Sequence, residues 1–204
     1  MTDLRVTTGT YVSFAHRLLW KSSQLHIRLA SEQSADDSWM LHLSAGLLAA
    51  AAFEAYLNHL GEEMLPDIWA DERGFFSSES YRGTSGKLKR IAEKLEWQLP
   101  SKTRKPYAGL IELQSLRDKM VHAKQKKSTY RSVHKVNEWP TLPSTWLYRE
   151  ATPKRIHALI ADVESFAMEL HNVVLQTEFA DVVFGSHPFL GSVGFGVHNV
   201  DVVG

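Results

Sequence analysis

Two residues on one short stretch have the types and spacing for acid–base chemistry on a phosphate. Arg117 and His122 lie five positions apart in Leu116-Arg117-Asp118-Lys119-Met120-Val121-His122-Ala123. An arginine is permanently charged and presents a fork of donors to phosphate oxygens; a histidine titrates near neutrality and serves as acid or base. The surrounding residues place the pair on a helix. At about 100° per residue, Leu110, Leu113, Arg117, Met120 and Val121 share one stripe. Arg117 then falls in the middle of an apolar face, where a guanidinium is costly unless it is paired or holds an anion. His122 lies about 140° further round, at the edge of that face and close to the helix end. Asp118, four residues before His122, is within reach to orient its imidazole.

An earlier segment carries a matching anomaly. Trp39, Leu43, Leu47, Ala50, Phe53, Leu57 and Leu60 form the stripe of a second helix; Glu54 falls inside that stripe and Asn58 at its margin. An inward glutamate on one helix and an inward arginine on another suggest a pair between neighbours. Two bland readings compete with a functional one: Arg117 snorkels to solvent, or Glu54–Arg117 is a structural salt bridge.

Charge is unevenly distributed. Lysine plus arginine equals aspartate plus glutamate over the whole chain, but residues 101–135 hold ten basic side chains against Glu112 and Asp118 alone, so this island carries +8 and the remainder −8. Such an island on a neutral protein suggests a local polyanion site, with a solvated lysine-rich loop as the alternative.

The elements that must position these residues are helical. Periodicity predicts a first helix over Tyr11–Ala30 with Phe14, Leu18, Leu25 and Leu29 inward, and a second over Trp39–Met64, capped at Asp37/Ser38 and stopped before Pro66. A Gly/Ser-rich loop spans Asp71–Gly86, and a short helix follows over Ser85–Trp97. The helix bearing Arg117 starts near Pro106, and Lys124–Glu150, with Pro140 and Pro143, reads as an irregular excursion. Thr152-Pro153 is a helix-start signature for a last helix running to about Thr177. The expected architecture is all-α, a four-helix up-and-down bundle over residues 1–178 with an irregular insertion before the last long helix. A Gly/Val-rich extension, 179–204, is left open between a short hairpin, an extended arm and disorder.

The stretch from Arg117 to His122 resembles the R-x4-H signature of the HEPN superfamily, and Ala52-Phe53-Glu54-Ala55-Tyr56-Leu57-Asn58 looks like the second-helix segment of many prokaryotic members. The helix pattern extends the resemblance over about Tyr11–Thr177, although its specific part is the six-residue motif. The resemblance implies a four-helix domain, homodimeric, with two such motifs facing across the interface, and a metal-independent endoribonuclease of the toxin or phage-defence kind. Arg117 and His122 would be the catalytic pair. Asp118, Glu54 and Asn58 would support them, and Lys119, Lys124, Lys126, Lys127 and Arg131 would track the RNA backbone. Many members of the superfamily are instead catalytically silent modules binding a partner protein, RNA or nucleotide; a plain helical bundle with a structural Arg–Glu pair is a third reading. An antitoxin or other regulatory protein is an implied partner.

Other chemistries find less support. Without cysteine there is no thiol nucleophile or disulfide. The ten histidines form no H-x-x-x-H, H-E-x-x-H or E-x-x-H pattern on the long helices, so no metal and no cofactor is expected. Gly191, Gly194 and Gly196 lack the setting of a phosphate loop, and no G-x-S-x-G elbow occurs. Of the six tryptophans, Trp139 and Trp146 beside the basic island are the candidates for base stacking. Residues 1–9 lack a signal-peptide core, and the apolar run Leu43–Leu57 is short for a membrane span and interrupted by Glu54, so the expected location is the cytoplasm, with no membrane partner.

Overall fold

The computed structural model describes residues 4–122, 146–183 and 185–203, with side chains described for all of these except 4–12, 146, 148 and 195–203. The described chain is mostly helical. In order it forms β1 (Leu4–Ser13), α1 (Ala15–Ala30), α2 (Ala35–Met64), α3 (Pro66–Trp69), α4 (Glu72–Phe75), α5 (Gly83–Lys94), α6 (Tyr107–Val121), α7 (Trp146–Glu150), α8 (Pro153–Leu175) and β2 (Gly194–Val203).

The central element is α2. Its buried residues between His42 and Met64 form one broad face, and α1, α5, α6 and α8 pack against the helix, with α6 also packed on α8. Alanine at 45, 49, 50 and 52 lets neighbouring backbones approach closely: the Ser23 hydroxyl of α1 donates to the Ala45 carbonyl at 2.8 Å. Gly61 is needed for the turn into α3, because a Cβ there would lie 2.1 Å from the Trp69 ring. By length and composition α2 is the one helix of the described residues able to cross a membrane, yet more than half of that stretch is buried within the protein.

Local signals explain the helix ends. Thr152 Oγ1 accepts from the Arg155 amide and Pro153 occupies the first turn of α8, as the sequence predicts. The cap of α2 lies earlier than expected: Ser34 accepts from the Asp37 amide, so Asp36 and Asp37 sit in the first turn, where carboxylates suit the helix dipole.

Two expectations about α1 are corrected. The first helix starts at Ala15 rather than Tyr11, because residues 4–13 form an extended strand. Its leucine stripe is not its buried face: Leu18 is 54 % exposed and Leu25 and Leu29 are also exposed, whereas His16, Arg17, Trp20, Ser23 and Ala30 point inward. The face that meets alanine-rich α2 must itself be small, or hydrogen-bonded, or a single large ring, and the polar residues supply that. In the C-terminal extension, whose form the sequence leaves open, β2 pairs antiparallel with β1, Leu4 opposite Val203 and Ser13 opposite Gly194, which ties it to the N-terminus.

Between α8 and β2 the chain crosses α1 and α2 as a strap. Phe189 is fully buried and stacks on Trp20 with ring centroids 4.5 Å apart. Arg17 Nη1 donates to the Ser192 carbonyl at 3.0 Å and Lys21 Nζ to the Gly191 carbonyl at 2.9 Å.

Candidate functional site

Glu54 and Arg117 meet where α2 and α6 lie side by side. Arg117 Nη2 donates to Glu54 Oε2 at 3.5 Å, and Nη1 donates to Asp118 Oδ1 at 2.9 Å. The arginine side chain is one-third exposed, so this end of α6 is at the water boundary rather than in a dry core. Two of its five N–H donors are engaged in these contacts, and the fork has three more to offer an anion.

The other oxygen of Glu54 leads inward to a cation that pattern reading does not single out. Lys87 on α5 is only 5 % exposed. Its ammonium donates to Glu54 Oε1 at 3.3 Å and to Asn58 Oδ1 at 2.8 Å, and pairs closely with Glu72. Asn58 thus supports Lys87, and Glu54 bridges two cations on two helices. Within the network Arg117 and Lys87 face Glu54, Glu72 and Asp118, two positive charges against three negative ones. Lys87 follows Gly86 and precedes Leu88 and Ile91, both buried, so the test that flags Arg117 as a cation on an apolar face would have flagged it too.

His122 is the residue that terminates α6. Its amide donates to the Asp118 carbonyl at 3.0 Å, and its side chain is exposed. Asp118 turns its carboxylate to Arg117, and among the described residues none hydrogen-bonds to the His122 ring. The apolar stripe that carries Leu110, Leu113 and Leu116 inward runs out into solvent by Val121, which is 61 % exposed, against the expectation that it is buried. The structure therefore brings Arg117, Asp118, Glu54 and Asn58 into one network and leaves His122 beside it at the surface.

The basic island is largely paired where it is described. Lys119 binds Glu150 at 3.1 Å, Lys105 binds Asp162 at 2.9 Å, and the acidic Glu112 is held by Arg155 at 2.6 Å. Lys124, Lys126, Lys127, Arg131 and Trp139 lie outside the described residues, as does the side chain of Trp146. Two surface grooves are sizeable. One of about 510 Å³ lies around Trp97, Pro100, Arg104, Lys105 and Glu169, and one of about 270 Å³ lies between Ser115, Lys119, Glu150 and Arg155. Neither is lined by Arg117 or His122.

A second polar cluster lies beneath the strap. His171 Nε2 donates to the Gly185 carbonyl at 3.0 Å, which leaves Nδ1 to accept from the Tyr56 hydroxyl at 2.9 Å. His59 Nε2 donates to the Val182 carbonyl at 3.0 Å, and His16 is hydrogen-bonded to the Pro188 carbonyl. The His16 and His59 rings stack 5.3 Å apart. Burial pushes His16 down to about 3, with His59, Arg17 and His171 adding to the effect. Burial likewise lowers His59 and His171 and raises the Tyr56 hydroxyl. The space among these rings is about 10 Å³, too tight for a ligand, so the cluster fastens the strap to the helices.

Compared with known proteins, the chain matches no family model, no curated protein and no solved structure.

Proposed function

We propose that the chain is a metal-independent endoribonuclease of the toxin or phage-defence kind, acting as a homodimer. The observation that supports it most directly is the end of α6. A partly exposed arginine is held in place by Glu54 and Asp118, and an exposed histidine follows at the helix terminus. In this reaction the RNA 2′-hydroxyl loses its proton and attacks the adjacent phosphorus. The bond from phosphorus to the 5′-oxygen breaks, leaving a 2′,3′-cyclic phosphate and a 5′-hydroxyl. The Arg117 fork grips the non-bridging oxygens as charge builds on them, and the His122 imidazole carries the proton. Glu54 and Asp118 already neutralise Arg117, and the phosphate is gripped by the donors that these two carboxylates leave free.

That neutralisation favours one alternative, a catalytically silent module of the same resemblance that binds a protein, RNA or nucleotide. In that reading the Glu54–Arg117–Asp118 network holds α6 in place and His122 has no chemical part.

Cleavage of a labelled single-stranded RNA in excess EDTA separates the two. The enzyme reading expects wild type to leave cyclic-phosphate ends, and His122→Ala to be slower by about 10²–10⁴, the usual worth of a general acid or base. Arg117→Ala should be at least as impaired, and both variants should retain the wild-type fold by circular dichroism. A wild type inert on mixed RNA, tRNA included, sinks the enzyme reading, as do variants that cut at the wild-type rate.

A further inference from the structure

His42 and His157 lie 115 residues apart, too far for any motif to connect them, yet their Nε2 atoms stand 3.0 Å from one another. His42 is in the second turn of α2 and His157 in the second turn of α8, and the first is buried while the second is exposed. We propose that this pair is a two-imidazole site for a late transition-metal dication, copper, nickel or zinc, that clips the start of α2 to the start of α8.

The tautomers are set by the surroundings. A carbonyl oxygen only accepts, so His42 Nδ1, 2.7 Å from the Ser38 carbonyl, must carry the hydrogen. Its Nε2 therefore presents a lone pair to His157. A carbonyl holding the far nitrogen is the support that metal-ligating histidines ordinarily have, because it fixes both tautomer and ring orientation. In the metal-free pair His157 Nε2–H donates to that lone pair. Shifting this one hydrogen to Nδ1 of the exposed ring turns the two facing nitrogens into two lone pairs, with no net change in protonation.

The spacing agrees with this chemistry. Metal–imidazole bonds of about 2.0–2.1 Å place two nitrogens about 2.9 Å apart at a right angle and about 3.4 Å apart at a tetrahedral one. The observed 3.0 Å lies between the two and closer to the right-angled arrangement of copper and nickel. Among the described residues no cluster of three or more histidine, aspartate or glutamate side chains forms a larger site, so water would complete the coordination. Two neutral nitrogens and water suit borderline-soft dications and reject magnesium and calcium, which require oxygen ligands. The pair sits about 18 Å along α2 from Glu54, and the inference does not depend on the reading of Arg117.

The test is calorimetric titration of the tag-free full chain with Ni(II) and Zn(II), with Mg(II) as control, on wild type, His157→Ala and His187→Ala. His157 is exposed, so its truncation leaves the core intact; His187 pairs with Glu164 elsewhere. The expected result is a saturable site for Ni(II) and Zn(II) but not Mg(II), with one equivalent fewer in His157→Ala and no change in His187→Ala. Cu(II) bound to wild type should show two nitrogen ligands by electron paramagnetic resonance, and the metal should raise the melting temperature of wild type but not of His157→Ala. Wild-type stoichiometry in His157→Ala, or no saturable binding in wild type, overturns the site and leaves the pair a simple hydrogen bond.

Discussion

Acidification below pH 6.5 should loosen this protein, and His16 supplies the magnitude. The ring is 3 % exposed and its pKa is pushed from 6.5 down to about 3, so the folded chain keeps it neutral where the unfolded chain protonates it. A group whose folded value is depressed contributes stability that is present above its unfolded value and lost as pH falls toward its folded value. The window is therefore below pH 6.5 and extends to about 3. At pH 5 the unfolded imidazole lies about 1.5 units below its own pKa, which removes about 2 kcal/mol relative to pH 8 at 1.36 kcal/mol per unit. His59 and His171, also lowered by burial, act in the same direction. Against a typical domain stability of about 5–15 kcal/mol this is a substantial fraction. Urea unfolding at half-unit steps from pH 8 to pH 5 measures it, and His16→Phe, which cannot titrate, should show a shallower slope by close to one proton near pH 5. An unchanged slope in that variant, or a wild type equally stable at pH 7 and pH 5, would refute the reasoning, because it would mean that His16 is hydrated and charged in the folded chain.

Two further substitutions probe the packing. Phe189→Ala removes a fully buried ring stacked on Trp20 and edge-on to Tyr56, and should cost about 3–5 kcal/mol in chemical denaturation. A loss below about 1 kcal/mol would show that the strap is not part of the core. Lys87→Met leaves the Asn58 carbonyl oxygen and both glutamates without their shared ammonium, and should cost about 1–3 kcal/mol. A neutral or stabilising result in the same measurement would mean that desolvation of the lysine outweighs its three contacts.

Which parts of this molecule can be read from the sequence follows from which interactions are local. Thr152-Pro153 announces α8 because a cap and a proline act on the turn that contains them, and the apolar stripe of α8 has a single partner side to satisfy. Helix α2 is recognisable from its alanines and leucines, but four helices pack against it, and periodicity therefore says little about which neighbour meets which part of its buried face. On α1 the same rule misleads: leucines at helical spacing look like a core face, while the true core face is made of residues whose polarity is satisfied by chain elements far away, Ala45 for Ser23 and Ser192 for Arg17.

The candidate site divides along the same line. Glu54 and Arg117 betray themselves as charges on apolar faces, and such charges demand partners. The identity of those partners is a tertiary fact: Lys87 takes one oxygen of Glu54, and Asp118 serves the guanidinium instead of the imidazole four residues on. The consequence is chemical. A carboxylate turned to Arg117 does not orient the His122 ring, so an acid–base role for that histidine requires an orienting group brought to the end of α6 from outside the described residues.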